Sequence, residues 1–178
     1  MALLMGNHVL QPVVEFVAAH IQQQDWKNKY ASLMALGSIT EGPEKQKFLE
    51  VIIQALQNLL AMFKDKSAKV REAISWVMAR ICEHHADVIS NPQVIDQFMF
   101  CIIEAIKDKP RISNQCCHAL MKLAVSLEPI TSTEYSNALT RYFSDCIKVL
   151  IENSAREDFA GTGVDLVQAS YVTITTMV

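Results

Sequence analysis

The sequence predicts an all-α protein, an α–α superhelix in which about four helical hairpins stack side by side. Three observations predict this architecture. Apolar residues recur at helical spacing, the helical stripes recur in pairs every 40-odd residues, and the 178 residues include only five glycines and five prolines. An all-β sandwich or barrel needs more turn residues than this, and no segment shows a convincing strand pattern.

The clearest helical stripe lies in residues 70–81, where apolar residues recur every three or four positions and so share one side of a helix. The stripe consists of Val70, Ala73, Ile74, Val77, Met78 and Ile81. A shift of 42 residues carries it onto 112–123, where five of the six positions are again apolar. The reverse shift, onto 28–39, keeps the later part of the stripe. The pattern therefore indicates an internal repeat.

A second helical stripe precedes each of these three, and a fourth pair follows. The preceding stripes run over 10–21, 49–63 and 94–106, and the fourth pair opens with 139–150. We therefore predict four repeats, at approximately 8–40, 45–85, 91–127 and 133–178. The predicted helices span 8–23 and 26–40, 45–63 and 67–85, 91–107 and 112–127, and 133–153 and 161–178.

The segments between paired helices also repeat. Lys64-Asp65-Lys66 recurs as Lys107-Asp108-Lys109, and Gln24-Asp25-Trp26-Lys27 holds the same place earlier. An aspartate at this point can accept free N–H groups at the start of the next helix or close a tight turn. Asn91-Pro92 predicts an N-cap followed by proline at the first helical position. The polar stretch 131–134 predicts a longer loop.

Paired helices every 40-odd residues, with an aspartate turn inside each pair, are typical of solenoids of the HEAT and armadillo type. A single pair cannot cover both of its apolar faces, so stacking of pairs makes a continuous core and the terminal pairs need polar caps. Residues 171–178 end in an apolar pattern without such a cap. We therefore expect residues 1–178 to be one HEAT-repeat segment of a longer array.

Composition argues against nucleic acids and membranes as partners. Hydrophobic residues make up 51% of the chain, enough for a real core, and the formal net charge is −3. A protein that binds nucleic acids indiscriminately is usually strongly basic, so we expect no direct nucleic-acid binding. Charged or amide residues interrupt every apolar run before it reaches the roughly 18 residues of a membrane span. We therefore expect no membrane insertion, and the apolar first five residues lack the features of a signal peptide.

The five cysteines predict buried free thiols rather than disulfides, because their number is odd and no CxxC pair occurs. A zinc site can be imagined from Cys82, His84, His85 and His118, but no ligand spacing supports it. We therefore expect no metal and no cofactor.

Catalytic motifs are also missing from the sequence. It contains no phosphate-binding glycine loop, no HExxH and no nucleophile elbow, and Gly161-Thr162-Gly163 is only a weak loop signal. The sequence therefore predicts no catalytic residues, and a protein that is not an enzyme.

Beyond the repeat pattern, the linkers and specific helix positions resemble a known family. The resemblance is carried by Asp25-Trp26, 34–39, 41–44, Lys64-Asp65, Val70-Arg71, Trp76, 80–83, Pro110-Arg111, Cys117 and Ala119. These residues resemble the middle of the importin-β (karyopherin-β) family of nuclear import receptors. The resemblance covers residues 8–125 well and the remainder loosely. It is more specific than a general HEAT pattern because the linkers agree as well as the apolar stripes.

This resemblance implies a fold and a set of partners. In the importin-β family the second helix of each repeat lines the concave surface, which grips a basic segment of the adaptor importin-α or a basic cargo signal. Neighbouring outer helices bind the phenylalanine–glycine repeats of nucleoporins, and the GTPase Ran in its GTP form releases the cargo. The resemblance therefore implies a protein of the cytoplasm and nucleus that acts at the nuclear pore in the nuclear envelope. It assigns no nucleoporin-contact residues.

The candidate binding residues lie on the second helix of the second pair and its successor. Glu72, Trp76, Arg80 and Glu83 are spaced to share one helix face, roughly opposite the 70–81 stripe. The resemblance matches Trp76 to an inner tryptophan of the family and places His118 where the family has another. The equivalent positions in the first and last pairs are Met34 and Tyr171.

Alternatives remain open for each of these residues. An indole attracts a cation by about 0.5–2 kcal/mol, yet a helical tryptophan also serves to pack the core or its rim. Glu72 and Glu83 are as consistent with a solvated face as with a contact. A protonated His118 would repel a cation. The alternative function is a structural HEAT-repeat scaffold of a complex that has no part in transport.

Overall fold

The computed structural model describes residues 5–127 and 138–178, and these contain helices and turns but no strand. Nine α-helices lie within these two described ranges. They are α1 (Leu10–His20), α2 (Trp26–Ser38), α3 (Lys45–Ala61), α4 (Ala68–His84), α5 (Ala86–Ile89), α6 (Ile95–Ile106), α7 (Pro110–Ser126), α8 (Phe143–Ser154) and α9 (Leu166–Met177). Short 3-10 turns precede α1 and α8 and follow α3. No described helix combines the length and the apolar character that crossing a bilayer requires.

The helices form four hairpins, which confirms the predicted all-α superhelix. The hairpins are α1–α2, α3–α4, α6–α7 and α8–α9, while the single turn α5 leads from the second hairpin to the third. Within the second hairpin the interior holds large side chains, with Phe48, Leu59 and Met78 at or below 1% exposure. Complete burial of a side chain of this size stabilises the fold by roughly 1.5–3 kcal/mol.

All four helix starts after the second hairpin differ from the prediction. In the predicted helix 133–153, residues 138–142 form a turn and a 3-10 turn, and α8 begins only at Phe143. Asn91-Pro92 does not begin a helix: the Asn91 side chain accepts a hydrogen bond from the Gln93 N–H at 2.9 Å, and the resulting turn delays α6 to Ile95. Pro110 is the first residue of α7, two positions earlier than predicted, because its missing N–H costs nothing there. The last helix begins at Leu166, after Gly161 and Gly163 in left-handed conformations. The predicted helical residues 133–137 and the predicted loop at 131–134 lie outside the described residues.

The second helices of the hairpins pack closely against one another. Contacts along the row α2–α4–α7–α9 are far more extensive than those between neighbouring first helices. Small side chains lie in this seam, where the Cys116 thiol donates to the Ser75 hydroxyl at 3.4 Å and the Thr173 hydroxyl donates to the Cys117 carbonyl at 3.1 Å. Because small residues let helix axes approach, we infer that this row is the shorter one and forms the concave side.

Ion pairs between successive turns tie one hairpin to the next. Lys29 of α2 contacts Asp65 in the second turn at 2.6 Å, and Arg71 of α4 contacts Asp108 in the third turn at 2.5 Å. Arg71 also donates to the Asp65 carbonyl at 2.8 Å, so it holds its own turn as well. The cations of one hairpin therefore bind the turn carboxylates of the following hairpin.

The turn aspartates also accept backbone N–H groups, as predicted. Asp25 accepts from the Lys27 N–H at 3.0 Å, Asp65 from that of Ser67 at 2.8 Å, and Asp108 from that of Lys109 at 2.7 Å. Burial alone would raise the pKa of Asp65 and Asp108, but the cation and N–H contacts outweigh it and keep both pKa values low.

A buried asparagine links the last two hairpins. Asn153 of α8 accepts a hydrogen bond from the Ser113 hydroxyl of α7 at 2.7 Å and donates to the Ser170 hydroxyl of α9 at 2.9 Å. Arg156 also donates to Asn153, at 3.2 Å, and to the Ile106 carbonyl at 3.1 Å. Because its polar atoms have partners, this amide is buried without the penalty of unpaired polar groups.

All five cysteines are buried free thiols, as predicted. Burial raises the pKa of Cys117 and Cys146 to about 12, and it also raises the pKa of Cys82 and Cys116. These thiols are therefore protonated and unreactive at neutral pH.

The ladder of ion pairs predicts a specific loss of stability. Replacing Asp108 by alanine leaves the partly buried Arg71 guanidinium without its carboxylate, so we expect the free energy of unfolding to fall by about 1–3 kcal/mol. Urea denaturation measures this loss. The matched control is Glu104→Ala in the same segment: its pair with Lys107 is exposed, with 56% and 52% of the side chains accessible, and should contribute less than about 1 kcal/mol. Equal losses would show that the ladder has no special role.

His85 predicts a pH dependence of stability. Its Nε2–H donates to the Thr40 carbonyl at 2.8 Å, linking the first two hairpins, and burial lowers its pKa below the ordinary value of 6.5. The unfolded chain therefore takes up the proton first, and stability is lost as the pH falls from about 6.5 through the lower pKa of the folded state. Above that range His85 is neutral in both the folded and the unfolded chain, so it does not make stability depend on pH.

Denaturant unfolding between about pH 5 and 8 measures this dependence. His85→Gln should flatten the profile relative to the parent chain, whereas the matched change His8→Gln, at an exposed position, should leave it unaltered. The groups facing His85 are Asp87, which favours the protonated ring, and His84 and Lys45, which oppose it. An unchanged profile in His85→Gln would disprove the assignment.

Candidate functional site

Trp76 occupies the middle of the second-helix row, where it is half-buried. Its ring lies over Gly37 of α2: a Cβ atom added at Gly37 would stand 2.3 Å from Cζ3 of the indole. Gly37 therefore serves to make space, since its backbone is helical and does not itself require glycine. Trp76 is packed against the hydrophobic core, and the residue is only partly buried.

Charged side chains cluster one to two turns beyond this indole. Glu83 contacts Lys122 of α7 at 2.6 Å, Arg80 at 3.1 Å and the His84 ring at 3.6 Å. Arg80 also lies 3.5 Å from Glu41. The hydrogen bond from Lys122 is the main reason that the pKa of Glu83 is below its usual value. The carboxylate is therefore ionised, and it already has cationic partners within the protein.

Glu72 lies on the other side of Trp76 and belongs to a different group of charges. It is 3.3 Å from Lys69 and 3.9 Å from Arg111 of α7. The structure thus brings Arg80 and Glu83 together and leaves Glu72 apart. The four predicted residues of α4 form a line along the helix, not a single cluster.

His118 is exposed on α7 and lines an open groove between α7 and α9. The groove has a volume of about 400 Å³, and Met121, Asp165 and Gln168 are among its lining residues. Although the residue as a whole is exposed, partial burial of its ring lowers the pKa of His118, and nearby Lys122 lowers it further. The ring therefore favours its neutral form at neutral pH and does not repel a cation.

The equivalent positions on the other second helices extend this line. Met34 of α2 is half-buried and Tyr171 of α9 is exposed, with 56% of its surface accessible. Met34, Trp76, His118 and Tyr171 therefore offer one large or aromatic side chain per hairpin along the second-helix row.

Sequence reasoning missed three residues of this site. Gly37 lies under the indole, while Glu41 and Lys122 complete the charge cluster around Glu83. Lys122 follows Glu83 by 39 residues, which does not match the 42-residue repeat. A search confined to equivalent repeat positions therefore could not pair them. For Gly37 the only available signal was its position inside a predicted helix. Glycine lowers helix stability at such a position, so its presence there indicates a packing requirement.

A second groove lies between the first helices α6 and α8, with a volume of about 510 Å³. Its apolar lining includes Phe100, Ile103 and Val149, and Phe100 is 57% exposed. Carboxylates and lysines form the polar part of the lining: Asp96, Glu104, Asp145, Glu152, Lys107 and Lys148.

Two family models match this chain. Residues 97–178 match the model described as importin subunit beta-1-like, TPR repeats, and residues 26–81 match that of the HEAT-like repeat. Importin subunit beta-1 of Saccharomyces cerevisiae is 32% identical over 132 residues, which are 74% of this chain and 15% of that protein. The chain belongs to the importin-β family. It spans less than a fifth of the length of this curated relative.

Solved structures agree with this importin-β assignment. A structure of Kap95p with RanGDP has a TM-score of 0.88 and 27% identity, covering 99% of this chain and 20% of that one. A Kap95:Nup1 complex has a TM-score of 0.86 and 27% identity, covering 97% of this chain and 19% of that one. The resemblance read from the linkers and from Trp76 is therefore confirmed at the level of the family.

The contact between Gly37 and Trp76 predicts that Gly37→Ala lowers stability in the parent chain but raises it when the Trp76 ring is absent. In the parent chain, Gly37→Ala should lower the melting temperature because the new methyl group overlaps the indole. In a Trp76→Ala background the same change should raise stability, by up to about 1 kcal/mol, because alanine is the better helix former.

Thermal unfolding of the four chains gives the coupling between the two positions. Trp76→Ala alone provides the reference for loss of the ring. If Gly37→Ala has the same effect in both backgrounds, the indole does not lie over Gly37.

Proposed function

We propose that this chain is part of a nuclear transport receptor whose second-helix row binds a basic segment. The guest would be the basic segment of an importin-α adaptor or the basic signal of a cargo. Membership of the importin-β family supports this proposal. The single observation that carries it is the half-buried indole of Trp76 on the second-helix row.

The Trp76 ring is well suited to contact a lysine or arginine of the guest. Its core-facing side fixes its orientation, so little side-chain entropy is lost on binding. A cation over the remaining face gains about 0.5–2 kcal/mol, depending on how far water is excluded. The neutral His118 ring and Tyr171 on the following second helices would extend the contact along the row.

The carboxylates contribute differently from the indole. Glu83 already contacts Lys122 at 2.6 Å and Arg80 at 3.1 Å, so a guest cation would have to compete with them. Glu72 is likewise within 4 Å of Lys69 and Arg111. In this segment, therefore, the ring supplies more of the affinity than the acids do. The proposed role of Arg80 is to hold Glu83 in place.

The remaining partners follow from the family in the same way. We propose that nucleoporin repeats bind the outer face, where the groove beside Phe100 offers an apolar surface for a phenylalanine side chain. Ran in its GTP form would regulate cargo binding in the whole receptor. The complexes of Kap95 with RanGDP and with Nup1 support these partners, as well as action in the cytoplasm, the nucleus and the nuclear pore.

Replacement of Trp76 by alanine tests the proposal. We expect binding of a lysine- and arginine-rich importin-α-type peptide to weaken by about 1–3 kcal/mol, because the cation loses the face of the indole. Isothermal titration calorimetry with the parent chain and the variant gives the difference, and far-UV circular dichroism checks that the helices remain.

The matched control is Trp26→Ala, which removes an exposed tryptophan at the start of α2 and should leave the affinity unchanged. An equal loss in both variants would contradict a specific role for Trp76. If the parent chain binds neither the basic peptide nor nucleoporin repeats nor Ran, a structural HEAT-repeat scaffold becomes the better account of its function. Loss of helicity in Trp76→Ala would show that the ring mainly packs the core.

A further inference from the structure

The turns inside the first three hairpins lie along one edge of the solenoid. Lys29 pairs with Asp65 and Arg71 pairs with Asp108, so each turn neighbours the next. We call residues 24–29, 64–72 and 107–111 the turn edge. It carries nine lysines and arginines but only four carboxylates, in a chain whose formal net charge is −3. The turn edge is therefore a cationic surface on an otherwise acidic protein.

The structure separates the two signs of charge within the turn edge. Asp65 and Asp108 are occupied by Lys29 and Arg71 and by backbone N–H groups, and their side chains are only 13% and 23% exposed. The other cations are exposed. They are Lys27, Lys64, Lys66, Lys69, Lys107, Lys109 and Arg111.

Most of this outward charge is free or weakly held. Within residues 5–127 and 138–178, the side chains of Lys27, Lys66 and Lys109 form no ion pair. Lys69 and Arg111 share Glu72, at 3.3 and 3.9 Å. Exposed pairs of this kind contribute about 0–1 kcal/mol, so a ligand carboxylate can replace them at little cost.

An open cavity lies on the turn edge where α4 and α7 begin. Its volume is about 280 Å³, and its charged lining consists of one carboxylate, that of Glu72, and three cationic side chains, those of Lys69, Lys109 and Arg111. Ala68 and Ile112 supply apolar surface beside them. The cavity can therefore admit a carboxylate together with part of its aliphatic chain.

We propose that the turn edge binds an acidic peptide segment in an extended conformation. Neighbouring helices pack about 8–10 Å apart, and an extended chain advances about 3.3 Å per residue. A peptide with one carboxylate in every three residues therefore places one carboxylate at each turn of the solenoid. The bound peptide ends before the fourth turn, because Glu157 and Asp165 there would repel it.

This surface is distinct from the proposed site for basic segments. Its guest has the opposite charge, and the cations it uses do not include those around Glu83. An acidic segment on the turn edge and a basic segment on the second-helix row can therefore be bound together.

Peptide binding tests the proposal on the 178-residue chain. The probe is a fluorescent peptide of about twelve residues with glutamate at every third position, matched to the repeat. Fluorescence anisotropy should show saturable binding that weakens as salt rises from about 50 to 300 mM. Lys66→Glu combined with Lys109→Glu should weaken binding at least about tenfold. Lys47→Glu combined with Lys148→Glu changes the net charge equally, away from the turn edge, and should change affinity by less than about twofold.

Three outcomes would overturn the proposal. Equal weakening in the two double variants would mean that only overall charge matters. Equal binding of a peptide with glutamine in place of glutamate would exclude recognition of carboxylates. Binding of a single-stranded oligonucleotide as tightly as the acidic peptide, with the same loss in the Lys66 and Lys109 variant, would indicate a general polyanion surface. Circular dichroism shows whether each variant keeps its helices, and absence of binding to the parent chain also refutes the proposal.

Discussion

The close approach of neighbouring second helices is the constraint on which the rest of this structure depends. Ser75 and Cys116 are small where these helices meet, and Gly37 makes room there for the Trp76 ring. Large residues such as Phe48 and Phe98 fill the interior around the first helices. One row of helices is therefore drawn together while the other stays apart. We infer that the curvature of the solenoid and the open groove between α6 and α8 follow from this difference.

Periodicity was sufficient to predict the hairpins because amphipathic stripes report which side of each helix is buried. It could not predict helix starts that depend on local turns. Asn91-Pro92 has the composition of an N-cap and proline pair, yet the asparagine side chain closes a turn on Gln93 instead. Nor could it show that Gly37 provides space for Trp76. That contact joins positions in different repeats, and it does not alter the apolar pattern of either helix.

The candidate site shows a second limit of sequence reasoning. Glu83 and Glu72 were identified by residue type and helix face, which say nothing about what already neutralises them. Lys122 reaches Glu83 from the next hairpin at 2.6 Å, and a charge with a partner attracts a guest less than an isolated one does. Among the described residues, no cation lies over the Trp76 indole, so the proposed binding of a basic segment depends on this ring more than on the acids.

The unequal contacts of the two helix rows also determine how the chain yields to force. Bending would first change the spacing of the sparsely touching first helices, whereas the second helices and their ion-paired turns would keep theirs. Such bending tilts one hairpin against the next and needs no helix to melt. The segment is therefore easiest to deform along its first-helix row.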